Sequence, residues 1–202
     1  MKKILLLAAL ALALPTAMFA GSSVDYTNSG GTLSGSSAGL SLSGSVLIVV
    51  NGLNGGGLIT GNNLGSVGFS TGALTSGSLQ MGGTFAGGGW FTITGNGTSG
   101  VPSGTLFTGT FDGPVTWTLV TLANGTHNYT LTGSLLGWTG SGAATVGVTV
   151  QLTINTGKGY FNGSTTISSG DTNIVVPEPG SLSLLGTGLI GLAGLVRRKL
   201  KG

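Results

Sequence analysis

The clearest pattern in the chain lies between residues 144 and 155. Ala144, Val146, Val148, Val150, Leu152 and Ile154 take the even positions, and Thr145, Gly147, Thr149, Gln151, Thr153 and Asn155 the odd ones. Six alternations in a row predict a strand with one buried and one wet face. A two-residue loop at Thr156-Gly157 would then pair Leu152 with Phe161 and Val146 with Ile167, all apolar. A second alternation, Val115-Trp117-Leu119, is followed beyond Asn124-Gly125 by Tyr129, Leu131 and Leu135. A two-residue Asn-Gly loop would set Thr118 against Leu131 and mix the faces. A three-residue loop, Ala123-Asn124-Gly125 with Gly125 left-handed, pairs Leu119 with Tyr129 and Trp117 with Leu131. Weaker strands are expected at 40–50, 67–69, 89–94 and 105–111, with a turn at Asp112-Gly113-Pro114.

No long segment carries a 3.6-residue apolar period, so the reading is all-β: an antiparallel β-sandwich or barrel-like domain, rich in Gly, Thr and Ser, over residues 21–175. Its first part, 21–88, is expected to be looser, partly disordered or made of edge strands. Stretches such as Asn54-Gly55-Gly56-Gly57 offer little to bury, and glycine weakens strands. A Thr/Ser-Gly-x-Leu recurrence has no fixed period and does not predict a solenoid.

The two ends follow a different pattern. Lys2 and Lys3, the apolar run Ile4–Leu14, and Pro15–Ala20 read as a secretory signal peptide over residues 1–20, cut after Ala20. Eleven apolar residues are too few for a stable membrane span. At the other end, Val176-Pro177-Glu178-Pro179-Gly180 precedes an uncharged Leu/Gly-rich stretch over 181–196. The basic tail 197–202 follows, with Arg197, Arg198, Lys199 and Lys201. As a helix the stretch would reach roughly 24 Å, a transmembrane helix if snorkelling Arg197 and Arg198 close the gap to a core of about 30 Å. The basic cluster would stay in the cytoplasm, leaving Glu178 and everything before it outside. Pro177 and Pro179 hold the junction extended, as a processing enzyme requires.

Val176-Pro177-Glu178-Pro179, the span containing Leu184-Leu185-Gly186 and Gly191-Leu192-Ala193-Gly194-Leu195, and the terminal basic cluster together resemble the PEP-CTERM sorting signal. The likeness covers only residues 176–202. It implies recognition by exosortase, a membrane-embedded transpeptidase-like enzyme, which would remove the tail. It also implies a Gram-negative bacterium that makes extracellular polysaccharide. The expected partners are signal peptidase and an exosortase-type enzyme, the inner membrane in transit, and extracellular polysaccharide at the destination. The expected location is an inner-membrane-anchored precursor, then the cell surface or matrix.

Charge sharpens this division. Only 5% of residues are charged, against about 25% in an ordinary soluble domain. Six of the seven basic residues sit in the first three or last six positions. Residues 21–176 keep Lys158 against Asp25, Asp112 and Asp171, so +1 − 3 gives −2. The basic balance therefore belongs to the ends and does not predict nucleic-acid binding. The chain has no Cys, so an exported domain here has no disulfides.

Little in the sequence points to catalysis. His127 is the only imidazole, expected on the surface opposite Thr121, and no nucleophile elbow surrounds any Ser. Gly87-Gly88-Gly89 lacks the Lys and helix of a phosphate loop. Asp171 and Asn173 fall short of a calcium loop, and no metal or other cofactor is expected. The four Asn-x-Thr/Ser sequons read as turn chemistry. Trp117 lies on its strand's apolar parity and belongs to the core, whereas Trp90 and Trp138 are candidates for stacking on sugar rings. The Thr145, Thr149, Thr153 face could match a polysaccharide or ice lattice, although Gly147 and Gln151 interrupt it. The expectation is an exported, non-enzymatic surface or matrix protein. The alternative is a carbohydrate- or ice-binding module, and a hydrolase built on His127 has less support.

Overall fold

A computed structural model describes residues 22–145 and 147–176, with Gly188 besides. The expected signal peptide, the transmembrane helix at 181–196 and the basic tail lie outside the described residues. Thirteen strands form one antiparallel sheet: β1 (Ser22–Ser29), β2 (Thr32–Ser36), β3 (Gly39–Asn51), β4 (Ile59–Ser70), β5 (Leu74–Ser78), β6 (Gly82–Phe85), β7 (Gly88–Asn96), β8 (Ser103–Phe111), β9 (Val115–Thr121), β10 (His127–Thr139), β11 (Gly147–Asn155), β12 (Ser164–Thr166) and β13 (Ser169–Val176). The neighbours run β11-β13-β1-β3-β4-β7-β8-β10, and β10 pairs in turn with β11. The ring is closed, which leaves none of these eight strands as a free edge along its whole length. This is the all-β, antiparallel architecture expected, in its barrel-like form.

Long strands bend and change partners around this ring. β10 carries β9 along its first half (His127–Thr132) and β8 along its second (Leu135–Thr139). The break between β8 and β9 falls at Asp112-Gly113-Pro114, where proline's missing N–H ends the ladder. β9 then holds β6, and β6 holds β5. β2 continues β1 along the first half of β3, and β12 pairs with β2.

The core is built mainly of apolar side chains contributed from all round the ring. Phe69 stacks on Phe91 (centroids 5.9 Å apart), and Phe111 meets Phe69 edge-on at 5.8 Å. Trp117, 1% exposed, stacks on Tyr129 at 4.9 Å and meets Phe161 edge-on. The polar tips are satisfied: the Trp117 Nε1–H donates to Leu79 O (2.9 Å), and the Tyr129 hydroxyl donates to Gln80 O (2.7 Å).

The hairpin register predicted for β9 and β10 is the one observed: Leu119 faces Tyr129, Trp117 faces Leu131, and Gly125 has φ +80°. The Leu122 and Gly125 N–H groups close the loop onto Thr126 O and Leu122 O. The β11 hairpin needs correction. Leu152 pairs with Leu131 on one side and Gly170 on the other, not with Phe161. Residues 156–163 form a loop docked on the start of β10: the His127 N–H donates to Gly157 O and the Thr156 N–H to His127 O. Phe161 and Ile167 are buried as predicted from their apolar character, but Phe161 reaches the core by that loop and Ile167 from the link between β12 and β13.

The alternation around β11 also shifts at its start. Ala144 is exposed and Thr145 is buried, its hydroxyl donating to Gly137 O (3.1 Å).

The first part of the chain supplies β3 and β4, of 13 and 12 residues, and core residues Leu33, Leu40, Leu42, Leu47, Leu64 and Phe69. Its glycines allow close approach as well as loosening strands. A Cβ on Gly65 would fall 1.9 Å from Thr94 O in the adjacent β7.

Tyr26 of β1, 3% exposed, has its phenol pushed by burial up to about 12. The folded state holds this proton more tightly than the unfolded chain, whose tyrosine pKa is about 10. The resulting stabilisation is complete below pH 10 and lost as pH rises through 12. Two units at about 1.4 kcal/mol each give an alkaline loss of up to about 3 kcal/mol, which Tyr26→Phe should lack. Urea unfolding of both proteins at pH 8 and pH 12 checks this, and equal losses would contradict it.

Candidate functional site

The outward residues of β1, β13, β11 and β10 line up because each strand's wet parity meets its neighbour's in register. Asp25 faces Asn51 of β3, Asn173 faces Thr149, and Thr149 faces Ser134. One strand step along, Thr27 faces Val49, Asp171 faces Gln151, Gln151 faces Thr132, and Thr132 faces Thr116 of β9. Two hydrogen bonds tie the rows across β1 and β13. The Thr27 hydroxyl donates to Asp171 Oδ1 (2.7 Å), and the Asn173 amide donates to Asp25 Oδ1.

These rows line an open trough of about 810 Å³, with Leu58 and Pro114 among its walls. The other lining residues come from β3, β1, β13, β11, β10 and β9. Among the described residues, the side chains of Asn51, Thr116, Thr132, Ser134, Thr149 and Gln151 make no hydrogen bond within the chain. Each carboxylate spends one oxygen on its neighbour and keeps the other free. Among the described residues, Asp25 and Asp171 are the charged ones in the trough, and no basic residue lines it.

The outer face of β10 extends this surface. Beyond Thr132 and Ser134, the next outward residues are Leu136 and Trp138, 49% and 58% exposed. Trp138 faces Thr108 of β8, Thr108 faces Thr92 of β7, and Trp90, 50% exposed, follows Thr92 on the same face. The Trp90 ring lies across β4, since a Cβ on Gly68 would meet it at 3.1 Å. Both tryptophans singled out for stacking thus face outward, while Trp117 is core. The Thr145, Thr149, Thr153 lattice does not form, because Thr145 is turned inward. Hydroxyls are instead aligned across strands, on a concave surface.

His127 faces Thr121 as expected but is not a surface residue, being only 7% exposed. Its Nδ1–H donates to Gly159 O (3.1 Å), and its ring stacks on Tyr160 at 4.3 Å. The docked 156–163 loop covers it, and the imidazole serves to pin that loop.

The trough is not legible in the sequence. In the sequence Asp171 and Asn173 read only as too few ligands for calcium, and no apolar alternation marks β13. The signal was present in shared polar parity: Thr130, Thr132 and Ser134 on β10 match Thr149, Gln151 and Thr153 on β11. Which strands become neighbours is not written in that parity.

β13 ends at Val176, and Val175 is still paired, facing Gly147. Pro177, Glu178, Pro179, Arg197, Arg198, Lys199, Lys201 and the cleavage residue Ala20 lie outside the described residues. A family model described as the PEP-CTERM protein-sorting motif matches residues 175–199. The tail carries a PEP-CTERM sorting motif. The PEP-CTERM segment implies an exported, membrane-anchored precursor processed by an exosortase. It begins inside the sheet, on the last two residues of β13, with no spacer between domain and motif. No curated protein and no solved structure matches the chain.

Proposed function

We propose that this chain is the precursor of a non-enzymatic protein of the cell surface or extracellular polysaccharide matrix of a Gram-negative bacterium. Signal peptidase removes residues 1–20, and an exosortase-type enzyme removes the PEP-CTERM tail. The single observation that carries the reading is the PEP-CTERM match at residues 175–199, joined directly to a complete β domain. Lys2 and Lys3 with their apolar run, and the basic cluster after residue 196, supply the two cytoplasm-facing ends that this route requires. The non-enzymatic part is supported by His127, whose ring is committed to the loop that covers it.

Fractionation of cells making the protein or its Pro177→Ala, Glu178→Ala, Pro179→Ala variant tests the route. The native chain should be recovered shortened, at the surface or in the matrix. The variant should accumulate at full length in the inner membrane. Native protein retained intact in the cytoplasm, or a variant processed like the native chain, would overturn it.

A further inference from the structure

We propose that the trough on the β1-β13-β11-β10 face, extended along β10 to Trp138, is a binding site for an uncharged polysaccharide chain. The inference rests on the surface-or-matrix reading only for where such a polymer would be met.

Three features select this occupant. The first is hydrogen-bonding chemistry. An amide and hydroxyls that make no hydrogen bond among the described residues (Gln151, Thr132 and Ser134), and two carboxylates that each have one oxygen uncommitted there (Asp25 and Asp171), stand in rows at strand spacing. A sugar hydroxyl can donate to one group and accept from the next. The second is shape: the trough is open and takes an extended polymer lying along β10 and β11, and its concavity does not suit a flat ice surface. The third is the apolar end. Trp138 continues the same outward line of β10 beyond Ser134 and Leu136, so a chain leaving the polar rows meets an exposed indole on which the C–H face of a sugar ring stacks.

Charge then narrows the ligand class. Among the described residues, Asp25 and Asp171 are the charged lining groups, and no cation among them offsets the pair. A polyuronate or sulfated polymer would bring its own anions against both carboxylates, whereas a neutral glycan brings only hydroxyls.

Affinity electrophoresis of the full-length chain in detergent tests this, with gels containing dextran, hydroxyethylcellulose or galactomannan beside gels containing alginate or polygalacturonate. The expected result is retardation by at least one neutral polymer and by neither polyuronate. Gln151→Ala and Trp138→Ala should each weaken it about tenfold while the far-ultraviolet circular dichroism stays unchanged. Both residues point outward, so neither substitution opens the core. Retardation by no neutral polymer, equal retardation by the polyuronates, or unchanged binding by both variants would overturn the proposal. Because the measurement is made on purified protein, its failure leaves the sorting experiment standing, and a failure of sorting leaves this binding result standing.

Discussion

Gly65→Ala should cost about 3–5 kcal/mol of folding stability, a large share of what a domain this size has to lose. Gly65 sits where β4 pairs with β7, at φ +155° and facing Gly95. A methyl group there would be 1.9 Å from Thr94 O and 2.9 Å from Gly95 Cα. Both are backbone atoms, so relief requires the two strands to part and their ladder to break. Gly57→Ala is the matched control: it has open space around the new methyl and no left-handed backbone. It should be neutral or slightly stabilising, because alanine narrows the unfolded ensemble. Urea midpoints of the two variants decide the matter. If Gly65→Ala unfolds at the same urea concentration as Gly57→Ala, the close packing of β4 on β7 is refuted.

Ending the chain after Ser168 should abolish cooperative folding, whereas ending it after Val176 should not. β13 is the strand that closes the ring between β11 and β1, pairing from Gly147↔Val175 to Thr153↔Ser169. It buries Gly170, Thr172 and Ile174 on its inner face. Without it β11 and β1 become free edges over an open core, a template for aggregation. Thermal melts followed by circular dichroism, with light scattering, separate the outcomes. A sharp monomeric transition in the shorter chain would show that β13 does not close the fold. The same geometry bears on processing, because a cut upstream of Val176 would take strand residues with it.

The parts legible in the sequence were those governed by local pattern. The β9–β10 register could be read because turn chemistry at Ala123-Asn124-Gly125 and the parity of Trp117, Leu119, Tyr129 and Leu131 admit one loop length. The inward face of β11 from Val148 to Ile154 followed from alternation alone. Non-local pairing was not legible. Phe161 has the parity to face Leu152, yet β11 is flanked by β10 and β13 while Phe161 arrives by a loop pinned by His127. His127 looked like a surface residue because nothing in its neighbourhood announces that residues 156–163 fold over it. The first part of the chain looked loose because glycine content signals weak strands and close strand pairing alike, and Gly65 shows the second. The trough needed both the missed β13 and the ring closure, so Asp25 and Asp171, 146 positions apart in sequence, could not be placed together in advance.

The most direct measurement is the intact mass and isoelectric point of the protein recovered from the cell surface or matrix. The account predicts a chain that begins near residue 21 and ends at or beyond Val176 but before the basic cluster. It should focus as an acidic protein, since residues 21–176 carry −2 where the whole chain carries +3. A full-length, basic protein found only inside the cell, or a surface form whose C-terminus falls inside β13, would contradict it.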